Sequence, residues 1–211
     1  MYCLSCPGCA ADDVAFDPAG TAAAAAAVFQ GVSPLPDRST VLDSVAPLEA
    51  GPESPMAAAS QVAVRELETM LTARPGDSAD ALLDAAEQAG IAALRRAVDA
   101  TGRRSLSDEE AARLSVLLIL DAVQEAAWTG CDGTDAQLWL WGQLTRRTVP
   151  PLAAAPARLL AATAYLRGDG VLARAAAERA LETDPGDRRA QTLVAAVDVG
   201  LSPDEWRTRS R

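Results

Sequence analysis

The sequence reads as all-α, a stack of antiparallel helical hairpins. Alanine supplies most of the excess in a chain that is 49% apolar but only 4% aromatic. Alanine is the best helix former and adds no bulk, so this bias favours helices packed at short range over a sheet. The stretch from Ala157 to Asp187 spells two short helices around Gly168-Asp169-Gly170 with a stop at Pro185. Elsewhere, capping residues and Gly or Pro breakers punctuate nearly the whole chain at helix-length intervals.

Residues 1–18 are the one stretch without helical character. Tyr2-Cys3-Leu4 and Val14-Ala15-Phe16 can pair as a small hairpin around Pro7-Gly8, which leaves residues 19–211 as a single helical domain. Such a lone hairpin is marginal in water and has to lean on the helices or on a partner sheet. Thr21 caps a helix over Ala22–Phe29, ended by Gly31. A short helix runs from Asp37 to Val45, and the loop 48–55 follows. The next helix opens at Pro55 or Met56 and closes before Pro75-Gly76.

Asp77 or Ser78 caps a helix that reaches Ala100, with Leu83, Ala86, Gly90, Leu94 and Ala97 along its apolar side and a weakening at Gly90. Ser107 and Glu110 form a capping box ahead of a helix over Ala111–Trp128, apolar on more than one side at its start and expected to be the central buried helix. Thr134 starts a helix to Thr148, broken by Pro150-Pro151. The two helices of 157–187 come next. In the first, Leu159, Leu160, Ala164, Tyr165 and Leu166 give a buried stripe; in the second, Ala173, Ala177 and Ala180 leave a contact face almost free of bulk. Asp187 caps a third helix over Arg188–Val199, and one further turn covers Asp204–Arg207.

This alanine pattern ending in Asp-Pro is that of the second half of a tetratricopeptide repeat, so the region 157–199 reads as a tetratricopeptide-like unit. It amounts to one unit and half of another, fewer than a free-standing solenoid needs. Packing inside one globule is therefore preferred over a peptide-binding groove.

Net charge of −10 and the lack of a basic stripe argue against nucleic acid as a partner. No run is apolar enough to span a bilayer, and Met1–Ala10 lacks the features of a signal peptide, so a cytoplasmic protein with reduced cysteines is expected. Arg146, Arg147 and the tail Arg207, Arg209 and Arg211 sit at helix ends, where a cation complements the dipole. The remaining charges form no consistent stripe and read as solvated faces.

Cys3-x-x-Cys6-x-x-Cys9 is the one motif with chemical content. Thiolates at this spacing can grip zinc or an iron–sulfur cluster, with Cys131, Asp12 or Asp13 as the fourth ligand. A second Cys-x-x-Cys is missing and no lysine or arginine lies close enough in sequence to activate a thiol, so unligated cysteines are the preferred reading over metal or redox chemistry. The chain has no histidine, which removes the commonest general base and every Ser-His or Cys-His pair. Asp12-Asp13 stand in a loop and Asp108-Glu109-Glu110 at a helix start, where acids are expected for capping and dipole reasons, and there is no phosphate-cradling Gly-rich loop. No catalytic residue and no cofactor are expected. Trp139 and Trp141 face different sides of one helix, so one of them can be a surface anchor.

Residues 1–47, the run 112–128 and above all 158–207, which ends in Gly200, Leu201, Pro203, Trp206 and Arg207, resemble the actinobacterial family DUF4192 over its C-terminal part. Members typically carry an upstream α/β segment, so the resemblance implies that residues 2–16 are the rim of a sheet belonging to a longer protein. The family pattern of a cysteine followed by an adjacent cysteine pair is altered, since Pro7 and Gly8 precede Cys9. The resemblance supports a helical fold and brings no activity. The functional expectation is a non-catalytic interaction module that binds a protein partner or a second copy of itself, with a thiol–metal or redox module on Cys3, Cys6 and Cys9, or a truncated part of a longer α/β-plus-helical protein, as the alternatives.

Overall fold

The computed structural model describes residues 38–48, 54–72, 76–101 and 104–209. Among them are ten helices and no strand: α1 (Arg38–Val45), α2 (Pro55–Leu71), α3 (Ala79–Ala100), α4 (Asp108–Leu117), α5 (Asp121–Thr129), α6 (Asp135–Arg147), α7 (Ala154–Arg167), α8 (Gly170–Thr183), α9 (Arg188–Asp198) and α10 (Pro203–Arg209). The chain is all-α. Val41–Arg211 forms one compact unit; of the other, Met1–Thr40, only the first residues of α1 are described. The hairpin expected over 1–18 and the helix expected over 22–29 lie outside the described residues.

Helix starts follow their caps. Ser54 accepts a hydrogen bond from the Ala57 N–H at 3.1 Å with Pro55 in the first turn of α2, and Asp169 and Asp187 do the same for α8 and α9 at 3.0 Å. The capping box of Ser107 and Glu110 is complete. Gly168 ends α7 at φ +91°, a conformation open to glycine, so two residues suffice to reverse the chain into α8. Pro185 drives Asp184 into an extended conformation and stops α8.

One expected helix is two. In place of a continuous helix over Ala111–Trp128, α4 ends at Leu117 and α5 begins at Asp121. The cause is the apolar run itself. Leu117, Leu118 and Leu120 all bury, which a straight helix presenting successive residues 100° apart cannot achieve against one neighbour. The chain tightens through hydrogen bonds from Ile119 N–H to Val116 O and from Leu120 N–H to Leu117 O, exposes Ile119 and restarts in a new direction.

The central helix is α7, not the segment 111–128. Ala154 and every residue from Pro156 to Tyr165 are buried, and α7 packs against α5, α6, α8, α9 and α10. Small side chains make this possible: Ala157, Ala161 and Ala164 on α7 and Ala173, Ala176, Ala177 and Ala180 on α8 are fully buried, so α7 and α8 lie close along their length. Leu166 is only half-buried. Tyr165 reaches past the end of α9, donating to Leu201 O at 2.5 Å and meeting the Trp206 ring edge-on at 5.5 Å, which folds α10 back onto α7.

On α3 the core-facing residues are Ala86, Gly90, Leu94 and Ala97, whereas Leu83 is exposed because the N-terminal third of the helix runs past the core. Gly90 is a contact point. A Cβ there would stand 2.4 Å from Val123 Cγ2 of α5, so the absent side chain sets the spacing of the two helices.

Candidate functional site

Helices α2, α3 and α4 build a face with three adjoining clefts. Along α2, Val62, Glu66 and Met70 follow one another at four-residue spacing and all point outward. A groove of about 420 Å³ lies between α2 and α4, with Ala58, Ala59, Val62 and Ala63 on one wall and Glu109, Glu110 and Arg113 on the other. A second cleft of about 170 Å³ continues it towards α3 past Leu67, Met70 and Arg96. The two share Ala63, Glu66 and Arg113, and the Arg113 guanidinium spans the junction, donating to Glu66 Oε2 from Nε at 3.0 Å and from Nη2 at 2.5 Å.

The Glu110 carboxylate accepts three hydrogen bonds from two residues. It closes the capping box by accepting from the Ser107 N–H at 3.0 Å and takes a bidentate pair from Arg104 at 2.6 and 2.5 Å. Arg104 and then the Ser107 N–H hold its carboxyl down at about 2. Arg96, Arg104 and Arg113 line a small pocket of about 220 Å³ between α3 and α4, together with Ala93, Ala97 and Leu114.

Another cleft, of about 570 Å³, opens between α3, α5 and α6, with Leu94, Ala127 and Trp141 at its base and Arg95 and Asp99 at its rim. Helices α7 to α9 line none of these clefts. Within 157–199, α7 from Pro156 to Tyr165 is buried in packing, whereas α8 and α9 keep exposed residues such as Val171 and Thr192.

The candidate metal ligands Cys3, Cys6 and Cys9, with Asp12 and Asp13, lie outside the described residues. Cys131 follows α5, half-buried, donating its S–H to Ala127 O at 3.4 Å and accepting from the Thr163 hydroxyl at 3.7 Å. Burial pushes its thiol up to about 11, so it is neutral near pH 7 and not prepared as a thiolate ligand. Among the described residues no three His, Cys, Asp or Glu side chains stand together as a metal site. No helix among them is long and apolar enough to cross a membrane.

The tryptophans divide as their spacing implies: Trp141 is buried and Trp139 is exposed. Trp128 lies under the Arg189 guanidinium, 4.8 Å from the ring centre. Arg147 does more than face a helix end, since it joins α6 to Asp108 of α4 at 2.6 Å and to Leu106 O at 2.9 Å. The side chains of Arg207, Arg209 and Arg211 lie outside the described residues.

The charged residues are not merely solvated faces. Glu66 with Arg113, Asp108 with Arg147, Glu125 with Arg189 and Asp198 with Arg174 each tie two helices together. The partners are distant in sequence, so no local pattern of charges announces them. The innermost pair is Arg158 of α7 with Asp187, the cap of α9, at 2.5 Å; Arg158 also donates to Gln124 of α5.

The family model described as a domain of unknown function (DUF4192) matches residues 1–204. No curated protein and no solved structure matches the chain.

Proposed function

The chain belongs to the DUF4192 family, and from its helical surface we propose that it is a non-catalytic protein-interaction module of the cytoplasm that receives a protein partner along α2. The observation that carries this reading is the outward row Val62, Glu66 and Met70, in which two exposed apolar side chains flank a carboxylate and stand over adjoining clefts. Two apolar anchors eight residues apart on one helix face, beside a groove, suit a helical segment laid against α2. The absence of histidine from the sequence and the use of Glu66, Asp108 and Glu110 in ion pairs support a binding role over acid–base chemistry. In this reading the tetratricopeptide-like pair α7–α8 is the scaffold and the α2 face is the contact surface.

The test is selection of helical peptides by display against the purified chain, alongside its mass in solution over a range of concentrations. Either a selected peptide or self-association is expected to be lost in Val62→Glu and Met70→Glu and retained in Thr192→Glu on α9. A chain that stays monomeric and yields only peptides indifferent to Val62 and Met70 would refute the reading.

A further inference from the structure

The pocket between α3 and α4 is lined by more cations than anions. Three arginines line it, Arg96, Arg104 and Arg113, against one lining carboxylate, Glu110, in a chain whose net charge is −10. Two of these guanidinium groups are held in place. Arg104 is fixed by Glu110 and by donating to Ser105 O at 3.1 Å, which leaves its Nε–H uncommitted among the described residues. Arg113 is fixed on Glu66 through Nε and Nη2, which leaves Nη1 uncommitted in the same sense. Arg96 lines the pocket from α3, exposed and with no carboxylate partner among the described residues. Ala93, Ala97 and Leu114 supply an apolar base.

Guanidinium N–H groups match the oxygens of a phosphate: Arg96 keeps its whole fork, whereas Arg104 and Arg113 offer only the N–H groups their carboxylates leave over, from positions already held. At about 220 Å³ the pocket is smaller than those that hold drug-sized ligands, roughly 300–1,000 Å³. The acidic surface around it repels a long phosphate backbone. A single small anion is affected less, since at physiological salt that field is screened over about 8 Å.

We propose that this pocket binds a compact phosphomonoester dianion, with the phosphate among Arg96, Arg104 and Arg113 and a short carbon body over Ala93 and Ala97. The pocket shares Glu110 and Arg113 with the α2–α4 groove and Arg96 and Arg113 with the cleft that continues it, but its assignment does not rest on the protein partner proposed for α2.

Glycerol 3-phosphate is the probe, titrated calorimetrically into the full chain at constant ionic strength, with glycerol and sodium chloride as controls. Saturable binding is expected, weakened at least threefold in Arg96→Gln and unchanged in Arg188→Gln, an exposed arginine at the start of α9. Arg96→Lys, which keeps the charge and loses the fork, provides a second variant, and helical content by circular dichroism confirms that each is folded. No saturable binding, or binding that a folded Arg96 variant leaves within threefold, overturns the proposal.

Discussion

Arg158 carries a positive charge into the interior, with its side chain 10% exposed and that of its partner Asp187 2% exposed. Asp187 has a second task, since its Oδ1 caps α9. Asp187→Ala therefore removes a cap and strands a buried guanidinium together. The expected loss is about 3–5 kcal/mol, read from urea unfolding, because breaking one side of a buried pair leaves the other uncompensated. Asp187→Asn, which keeps a capping oxygen, should lose less. At the surface, Glu110 is held at about 2, below the ordinary 4.5 of a glutamate. A folded value below the unfolded one stabilises the fold above pH 4.5, and that contribution disappears as pH falls towards 2. Glu110→Gln should therefore flatten the acid limb of stability over this window, by no more than about 1 kcal/mol for so exposed a pair. Cys131 supplies a third outcome at this scale. With Cys3, Cys6 and Cys9 replaced by serine, native protein at pH 8 should react with a maleimide at least tenfold more slowly than protein in urea, as followed by mass spectrometry, because Cys131 is half-buried with its thiol raised to about 11.

Among the elements, the contact of α3 with α5 makes the sharpest statement. Glycine inside an exposed helix is normally improved by alanine by up to about 1 kcal/mol. Gly90→Ala should do the opposite and destabilise by about 1–3 kcal/mol, because its new Cβ meets a valine whose χ1 is restricted in a helix. In the Val123→Ala background the same change should do far less harm, and a double-mutant cycle in urea measures the difference. Sequence alone shows Gly90 as a soft spot, since a glycine's partner across a helix contact has no local signature. Caps and breakers are local, which is why the opening of α2 at Pro55, the reversal at Gly168-Asp169-Gly170, the cap at Asp187 and the stop at Pro185 could be read directly. The restart at Asp121 could not. It depends on where Leu118 and Leu120 find room in the assembled core, and the same dependence hides the central place of α7. The α2 face and the arginine pocket were invisible for a related reason: Glu66 and Arg113 are 47 residues apart, and Arg96 joins Arg104 and Arg113 only when α3 packs on α4.

For the unit Val41–Arg211 as a whole, one core cluster runs from Val41 through Leu67, Leu94, Val123 and Leu159 to Ala196, so every region shares buried neighbours with the next. Leu159→Ala on the central helix should remove about 2–5 kcal/mol. Loss of helical circular dichroism and the change in fluorescence of buried Trp141 should still coincide in urea, as a single cooperative transition requires. Two separated transitions would show that the helices are not one folding unit. The three-way junction of Gln124, Arg158 and Asp187 also constrains how relatives of this chain can diverge. Because loss of the acid alone is harsher than loss of the whole set, substitutions at these positions should travel together, so that lineages with an aliphatic residue in place of the arginine also lack the aspartate.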